Sequence, residues 1–117
     1  MQRQRIDNYR RLIAAALRVD IESVIESEDV IDVVNDALHE LALRGKTAAK
    51  REKYQRRIAY LRSRFGLMDD NRPSTYQEMA DVCLVSTSAI KRIVEDGLRE
   101  MRMPWSCLYK RRDSLLK

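Results

Sequence analysis

The stretch STYQEMADVCLVSTSAIKRIVEDGLREMRMP, residues 74–104, carries the densest set of local structural signals in the chain. Thr75 is followed three residues later by Glu78, a capping-box pattern, which predicts that a helix begins here. Ser86 has the residue type of a second N-cap and precedes a second apolar periodic segment. Small Ala80 allows two helices to cross closely. The stretch therefore predicts a helix-turn-helix.

Each of the two predicted helices has an apolar inner face. Its positions are Met79, Ala80 and Cys83 in the first helix, and Ile90, Ile93, Val94 and Leu98 in the second. The outer face of the second helix begins with hydrogen-bonding and cationic residues, namely Thr87, Ser88, Lys91 and Arg92. Side chains of these types contact bases in the major groove of DNA. We therefore expect these four residues to bind DNA.

Composition narrows the fold class and the range of functions. The chain has 117 residues with only three glycines and two prolines, which favours one all-α domain, or slightly less than two, built as a helical bundle. Cys83 and Cys107 lie far apart, so we expect no disulfide. The single histidine, His39, has no other metal-ligating residues clustered near it, so we expect it at the surface and expect neither a metal site nor a cofactor. The sequence contains no arrangement of catalytic residues that would indicate an enzyme, so we do not expect one. The lack of a membrane-length apolar run or signal peptide predicts a cytoplasmic protein.

The net charge of +5 is distributed in blocks along the chain. Residues 20–40 contain eight acidic residues and no lysine or arginine, whereas residues 41–68 contain nine basic residues and one acidic residue. The basic block therefore carries the predicted phosphate contacts, and the helix-turn-helix itself is close to neutral.

Residues 3–18 predict an amphipathic helix with inward positions Ile6, Tyr9, Leu12, Ile13, Ala16 and Leu17. Its well-formed apolar stripe favours packing on the domain or on a second copy over a nucleic-acid arm. The next helix has two alternative starts. Either Asp20 caps it and Val24, Ile31 and Leu38 form a heptad seam with a second row at Val34 and Leu41, or it restarts at Ser27. Arg44 and Gly45 end it.

Thr47 is the predicted N-cap of a third helix that ends at Gly66, with Tyr54, Ile58, Leu61 and Phe65 facing inward. Its other faces carry basic residues expected to bind phosphates: Lys50, Arg51, Lys53, Arg56, Arg57, Arg62 and Arg64. Pro104 is expected to break the helix before it. The tail then either packs back through Trp105, Leu108 and Tyr109 or contacts phosphates through Lys110, Arg111 and Arg112. The predicted segments are an N-terminal helical extension at 1–45, the helix-turn-helix domain at 46–104, and a basic tail at 105–117.

Several short segments resemble region 4 of the bacterial primary-type sigma factors. They are RIAYLRSRFGL, TYQEMA, the pattern I-K-R-I, and the later L-R and R-M-P. The resemblance covers residues 41–104. It implies binding to the beta flap of bacterial RNA polymerase and placement of the second helix in the major groove of the upstream promoter hexamer. It further implies phosphate contacts by Arg62, Arg64 and Thr75, base contacts by Thr87, Ser88, Lys91 and Arg92, and polymerase contacts by Tyr54, Ile58 and Leu61.

The chain departs from that family at two places. Thr87 and Ser88 replace the usual Arg-Glu pair at the base-reading positions, and Leu84 stands where many helix-turn-helices have glycine in a left-handed turn. Nothing resembles the aromatic-rich helix of sigma region 2, so the chain is similar to a detached region 4, as in phage-encoded coactivators and mobile-element regulators.

Two other functions remain open from the sequence. One is a stand-alone dimeric helix-turn-helix repressor or activator that binds a palindromic site through dimerised N-terminal helices. The other is a polymerase-binding inhibitor or antitermination factor without DNA readout. The acidic block at 20–40 is expected to pack on the domain, to dimerise, or to shield the basic helix.

Overall fold

The computed structural model describes residues 2–117, except for the side chain of Gln2, and it confirms the all-α helical bundle. Its elements are α1 (Gln2–Leu17), a 3₁₀ turn (Ile21–Ser23), α2 (Asp29–Leu43), α3 (Ala48–Phe65), α4 (Tyr76–Cys83), α5 (Thr87–Met101), α6 (Cys107–Lys110) and α7 (Arg112–Leu115). One apolar core receives side chains from all seven helices. Across residues 2–117, every helix is too short or too polar to span a lipid bilayer.

Helix α1 packs on the domain through the predicted stripe. Tyr9, Leu12, Ile13 and Ala16 are buried, whereas Ile6 and Leu17 are half-buried. The helix ends in a left-handed residue, Arg18, with φ 58°. The Val19 amide then donates to the Ala14 carbonyl oxygen at 3.0 Å, which is the backbone hydrogen bond of a Schellman cap.

The predicted helix start at Asp20 is wrong, because residues 20–28 form the 3₁₀ turn and an extended connection. The alternative start near Ser27 is confirmed. The Ser27 hydroxyl accepts the Asp29 amide hydrogen at 3.2 Å, and α2 begins at Asp29. Val24 is buried outside the helix, where it forms an isolated bridge with Leu116. Its seven-residue spacing to Ile31 is therefore not part of a helical seam.

A buried arginine stabilises the connection between α1 and α2. The Arg10 guanidinium donates to the Ile21 carbonyl at 2.9 Å and to the Val24 carbonyl at 3.0 Å, and it pairs with Asp7 at 2.8 Å. This hydrogen bond from Arg10, together with the nearby charge of Arg3, lowers the pKa of Asp7. The Ile21 carbonyl also accepts the Val24 amide hydrogen at 3.0 Å, so Arg10 adds a second donor there and supplies a donor to the Val24 carbonyl in the non-helical segment.

Both predicted ends of α3 are confirmed. The Thr47 hydroxyl accepts the Lys50 amide hydrogen at 3.2 Å, and Gly66 ends the helix with φ 71°. A Cβ on Gly66 would lie 2.7 Å from the Pro73 nitrogen, so the loop requires glycine here. The buried Asn8 amide donates to the Gly66 carbonyl at 3.0 Å and to the Asn71 carbonyl at 2.9 Å. Asn8 thereby joins α1 to the loop that leads into α4.

The C-terminal tail packs back on the bundle, as one of the two sequence alternatives predicted. Leu108 is buried and Trp105 is half-buried, with the Arg44 guanidinium 4.5 Å from the Trp105 ring centre. The Lys117 amide donates to the Ser23 carbonyl at 2.7 Å. Helix α5 ends at Met101 with Arg102 as its C-cap, two residues before Pro104, in agreement with the predicted helix end.

Candidate nucleic-acid interface

Helix α4 begins with the predicted capping box. The Thr75 hydroxyl accepts the Glu78 amide hydrogen at 3.1 Å, and the Glu78 carboxylate accepts the Thr75 amide hydrogen at 2.8 Å. Hydrogen bonds that Thr75 donates to the carboxylate, first from its backbone amide and then from its side chain, lower the pKa of Glu78. The entry of the chain into α4 is thus fixed by its own side chains.

A three-residue turn connects α4 to α5. Leu84 ends α4 in the left-handed conformation, with φ 58° and ψ 41°, although it is not glycine. The Ser86 hydroxyl accepts the Ala89 amide hydrogen at 3.1 Å, so α5 begins at Thr87 as predicted. Both helix starts around the turn therefore follow local capping signals in the sequence.

Helix α5 is held by its inner face. Ile90, Val94 and Leu98 are buried as predicted, whereas Ile93 is only half-buried, and Gly97 lies directly against α3. A Cβ at Gly97 would come within 2.9 Å of Leu61 Cδ1, so glycine permits the close approach of the two helices. This packing fixes which side of α5 faces solvent.

The four predicted base-contacting residues lie together on the first turns of α5. Thr87, Ser88, Lys91 and Arg92 are all exposed. Within the part of the chain that the structure describes, neither Lys91 nor Arg92 forms an ion pair with an acidic side chain. Their charges are therefore available to a ligand.

The three predicted phosphate-contacting residues flank α4, and two of them also have structural roles. Arg64 donates to the Ser74 carbonyl at 3.1 Å, and its guanidinium lies 4.0 Å from the Tyr76 ring centre. Thr75 is exposed, and its hydroxyl both caps α4 and hydrogen-bonds to the Glu78 carboxylate. Arg62 is half-buried near the end of α3.

Two predicted sites are corrected by burial. Ile58 and Leu61 belong to the core, so they offer no surface to polymerase, whereas Tyr54 is half-buried. Arg57 is also buried, where it pairs with Glu100 and lies 3.7 Å from Asp96. These acidic residues on α5 neutralise Arg57, so the guanidinium is a packing element between α3 and α5 and not a phosphate contact.

An apolar groove between α3 and α4 was not predicted from the sequence. It has a volume of about 370 Å³ and is lined by residues that include Tyr60, Met79, Val82 and Cys83. A hydrogen bond with Cys83 and partial burial raise the pKa of Tyr60. Val82 and the neighbouring Leu84 are 83% and 89% exposed. Exposed apolar side chains beside a groove are typical of a surface that contacts another protein. In the sequence, the apolar residues at the end of the predicted first helix were the feature that could have indicated this surface.

The cysteines and the histidine do not form a reactive or metal-binding site in the described residues. The Cys107 thiol donates to the Val33 carbonyl at 3.2 Å, and burial raises its pKa to about 12. Cys107 is therefore a neutral packing residue at physiological pH. His39 is exposed. Over residues 2–117, no three His, Cys, Asp or Glu side chains gather in a way that would hold a metal ion.

Comparison of the chain with protein-family models, with curated proteins and with solved structures finds no match. The structural class therefore follows from the fold and the site alone. The protein is an all-α helical bundle in which two capped helices, α4 and α5, present a polar and cationic surface.

Proposed function

We propose that the chain is a sigma-region-4-like transcription factor that reads promoter DNA through α5 and docks on bacterial RNA polymerase. The observation that supports this most directly is the exposure of Thr87, Ser88, Lys91 and Arg92 together at the start of a helix whose other side is buried. A helix presented in this way fits the major groove of B-DNA.

Each of the four residues has a chemical role in this proposal. Arg92 and Lys91 donate to the O6 and N7 atoms of guanine, which accept such bonds in the major groove. Thr87 and Ser88 carry hydroxyls that donate or accept, and the Thr87 methyl group suits the thymine methyl. Contacts from Arg62, Arg64 and Thr75 to the DNA backbone set the register without reading sequence.

The base-reading role is tested by selecting duplexes from a randomised pool and measuring affinities by fluorescence anisotropy. We expect Arg92→Gln to weaken binding to the selected duplex by about 1–3 kcal/mol, because a bidentate arginine-to-guanine contact is lost. Binding to an unrelated duplex should change much less. Arg111→Gln removes an equal charge from an exposed position of the C-terminal tail and is the matched control. Equal losses on both duplexes, or no enrichment from the pool, would overturn base reading by α5.

Docking on polymerase rests on the resemblance of residues 41–104 to sigma region 4, and the apolar groove between α3 and α4 offers a contact surface for it. The partner is the beta flap of the core enzyme, and the function requires a bacterial cytoplasm. We expect a purified flap fragment to bind the protein, and Val82→Glu to weaken that binding at least about tenfold by placing a charge in an apolar contact. Failure of the wild type to bind the flap would exclude this mechanism and leave DNA binding unaffected.

Of the alternatives, the dimeric repressor loses part of its support. Helices α1 and α2, which were the candidate dimer interface, bury their apolar stripes within the same chain. An inhibitor without DNA readout would keep its activity after charge reversal at Lys91 and Arg92, whereas the proposed function predicts weaker DNA binding. Binding measurements on that charge-reversal variant distinguish the two.

A further inference from the structure

A second cationic surface lies away from the first turns of α5, where the end of α1 meets the C-terminal half of α5. It is an open cleft of about 360 Å³, which is large enough to hold several water molecules. Its lining residues are Ala15, Arg18, Glu95, Leu98, Arg99 and Arg102. Three guanidinium groups and one carboxylate thus share the cleft, which is named here the arginine cleft.

The three arginines are held in different ways. Arg102 is half-buried, and its Nη1 donates to the Ala16 carbonyl at the end of α1 at 3.1 Å. Arg99 donates to Asp96 at 2.8 Å and remains 64% exposed. Arg18 is exposed, and among residues 2–117 it forms no ion pair. Each guanidinium has five N–H donors, so several donors remain for a ligand.

The position of Arg18 is unusual for an arginine. It occupies the left-handed position after α1, with φ 58°, where glycine is the usual residue. A side chain in this conformation is strained relative to glycine, and attraction of the guanidinium to the α1 C-terminus opposes that strain. In this position Arg18 lines the cleft beside Arg99 and Arg102.

The cationic groups also repel one another. Partial burial, and then the charges of Arg18 and Arg99, lower the pKa of Arg102. An oxyanion between these groups would relieve that repulsion and accept charge-assisted hydrogen bonds from planar guanidinium groups, which match phosphate geometry.

We propose that the arginine cleft binds a phosphate group through Arg18, Arg99 and Arg102. This inference uses residues that the base-reading surface does not include, so it stands or falls separately from the proposed function. The phosphate comes either from the DNA backbone or from a free phosphate compound, and the test distinguishes the two sources.

The first arm uses inorganic phosphate as the probe, with arginine side-chain and backbone amide NMR shifts recorded at constant ionic strength in chloride. We expect saturable shifts at Arg18, Arg99 and Arg102 in the range of about 1–10 mM phosphate. Arg18→Gln should weaken the response at least about fivefold, because one charge-assisted donor group is lost. Arg102 is left intact because it also supports the end of α1.

Two control variants separate ligand binding from a structural role. Glu95→Gln removes the carboxylate from the cleft lining and should strengthen phosphate binding by about twofold to fivefold, which a purely structural role of the cleft would not produce. Lys110→Gln lies on α6 and should leave the response unchanged. No saturable shift in the wild type, or an equal response in Arg18→Gln, would overturn the proposal.

The second arm measures the salt dependence of duplex binding. If the phosphate belongs to DNA, Arg18→Gln should reduce the slope of log affinity against log salt by about one. An unchanged slope with a retained inorganic phosphate response assigns the cleft to a free phosphate compound.

Discussion

Leu84 holds a left-handed backbone conformation without the freedom of glycine. Its side chain is 89% exposed, so removing the side chain forfeits little packing. We predict that Leu84→Gly raises the free energy of unfolding by about 0.5–1 kcal/mol, because the left-handed region is strained for residues with a Cβ. Urea denaturation measures this, with Leu84→Ala as the control that keeps the strain. Destabilisation by the glycine variant would contradict the assigned conformation.

Asp7 gives stability a defined pH dependence. Its pKa in the folded state is lowered from 3.8 by the Arg10 hydrogen bond, so its contribution is present above about pH 4 and is lost as pH falls through the folded pKa. We predict that Asp7→Asn is less stable than the wild type at pH 7 and that the difference shrinks below about pH 4. Thermal unfolding from pH 7 to pH 2.5 measures it. A difference that stays constant over this range would show that Asp7 acts only through packing.

Residue-scale features were predictable where the signal was local. The caps at Thr47, Thr75 and Ser86 depend on neighbours within one helical turn. Asn8 was not predicted, because the carbonyls that its amide contacts lie 58 and 63 residues away. Its role exists only once α1 lies against the loop before α4.

Helices α3 and α5 are joined by a charged pair inside their apolar interface. Arg57 contacts Glu100 and Asp96, and its guanidinium lies 5.3 Å from the Tyr54 ring centre. Glu100 also lies 3.7 Å from Arg44, so the end of α2 joins the same group.

We predict that Arg57→Met lowers the free energy of unfolding by about 2–4 kcal/mol, because it removes the buried guanidinium between Asp96 and Glu100. These partly buried carboxylates then keep only their contacts with the more exposed Arg99 and Arg44. The double variant Arg57→Met/Glu100→Met should recover part of that loss, since an apolar pair of similar volume replaces the buried charges. Chemical denaturation of the two variants tests this. A loss below about 0.5 kcal/mol in the single variant would mean that the ion pair contributes little, as exposed pairs do.

At the element scale, amphipathic periodicity predicted the apolar faces but not every helix boundary. The residues from Val24 to Leu41 match a heptad spacing, yet α2 begins only at Asp29. Val24 is buried because it pairs with Leu116, and that contact joins distant parts of the chain. Likewise, the inward position of Arg57 follows from the acidic residues on α5, which periodicity in α3 alone does not show.

At the scale of the whole molecule, the N-terminal segment and the tail complete the same core as the helix pair. Arg102 bonds to the end of α1, and Lys117 bonds to the 3₁₀ turn. The sequence assigned these segments separately, because their long-range contacts have no local signature. The candidate DNA surface was more predictable, since exposure of Thr87, Ser88, Lys91 and Arg92 follows from the apolar face on the opposite side of α5.

The central claim, that α5 binds DNA through its first turns, is tested most directly by charge reversal. Fluorescence anisotropy with a selected duplex, over a range of salt concentrations, compares the wild type with Lys91→Glu/Arg92→Glu. The control Lys110→Glu/Arg111→Glu reverses the same two charge types at exposed positions of the C-terminal tail. We predict that the α5 variant binds at least about tenfold more weakly and that its salt slope is smaller by about two, whereas the control changes little. Unchanged DNA binding in the α5 variant, or equal weakening in both, would contradict the claim.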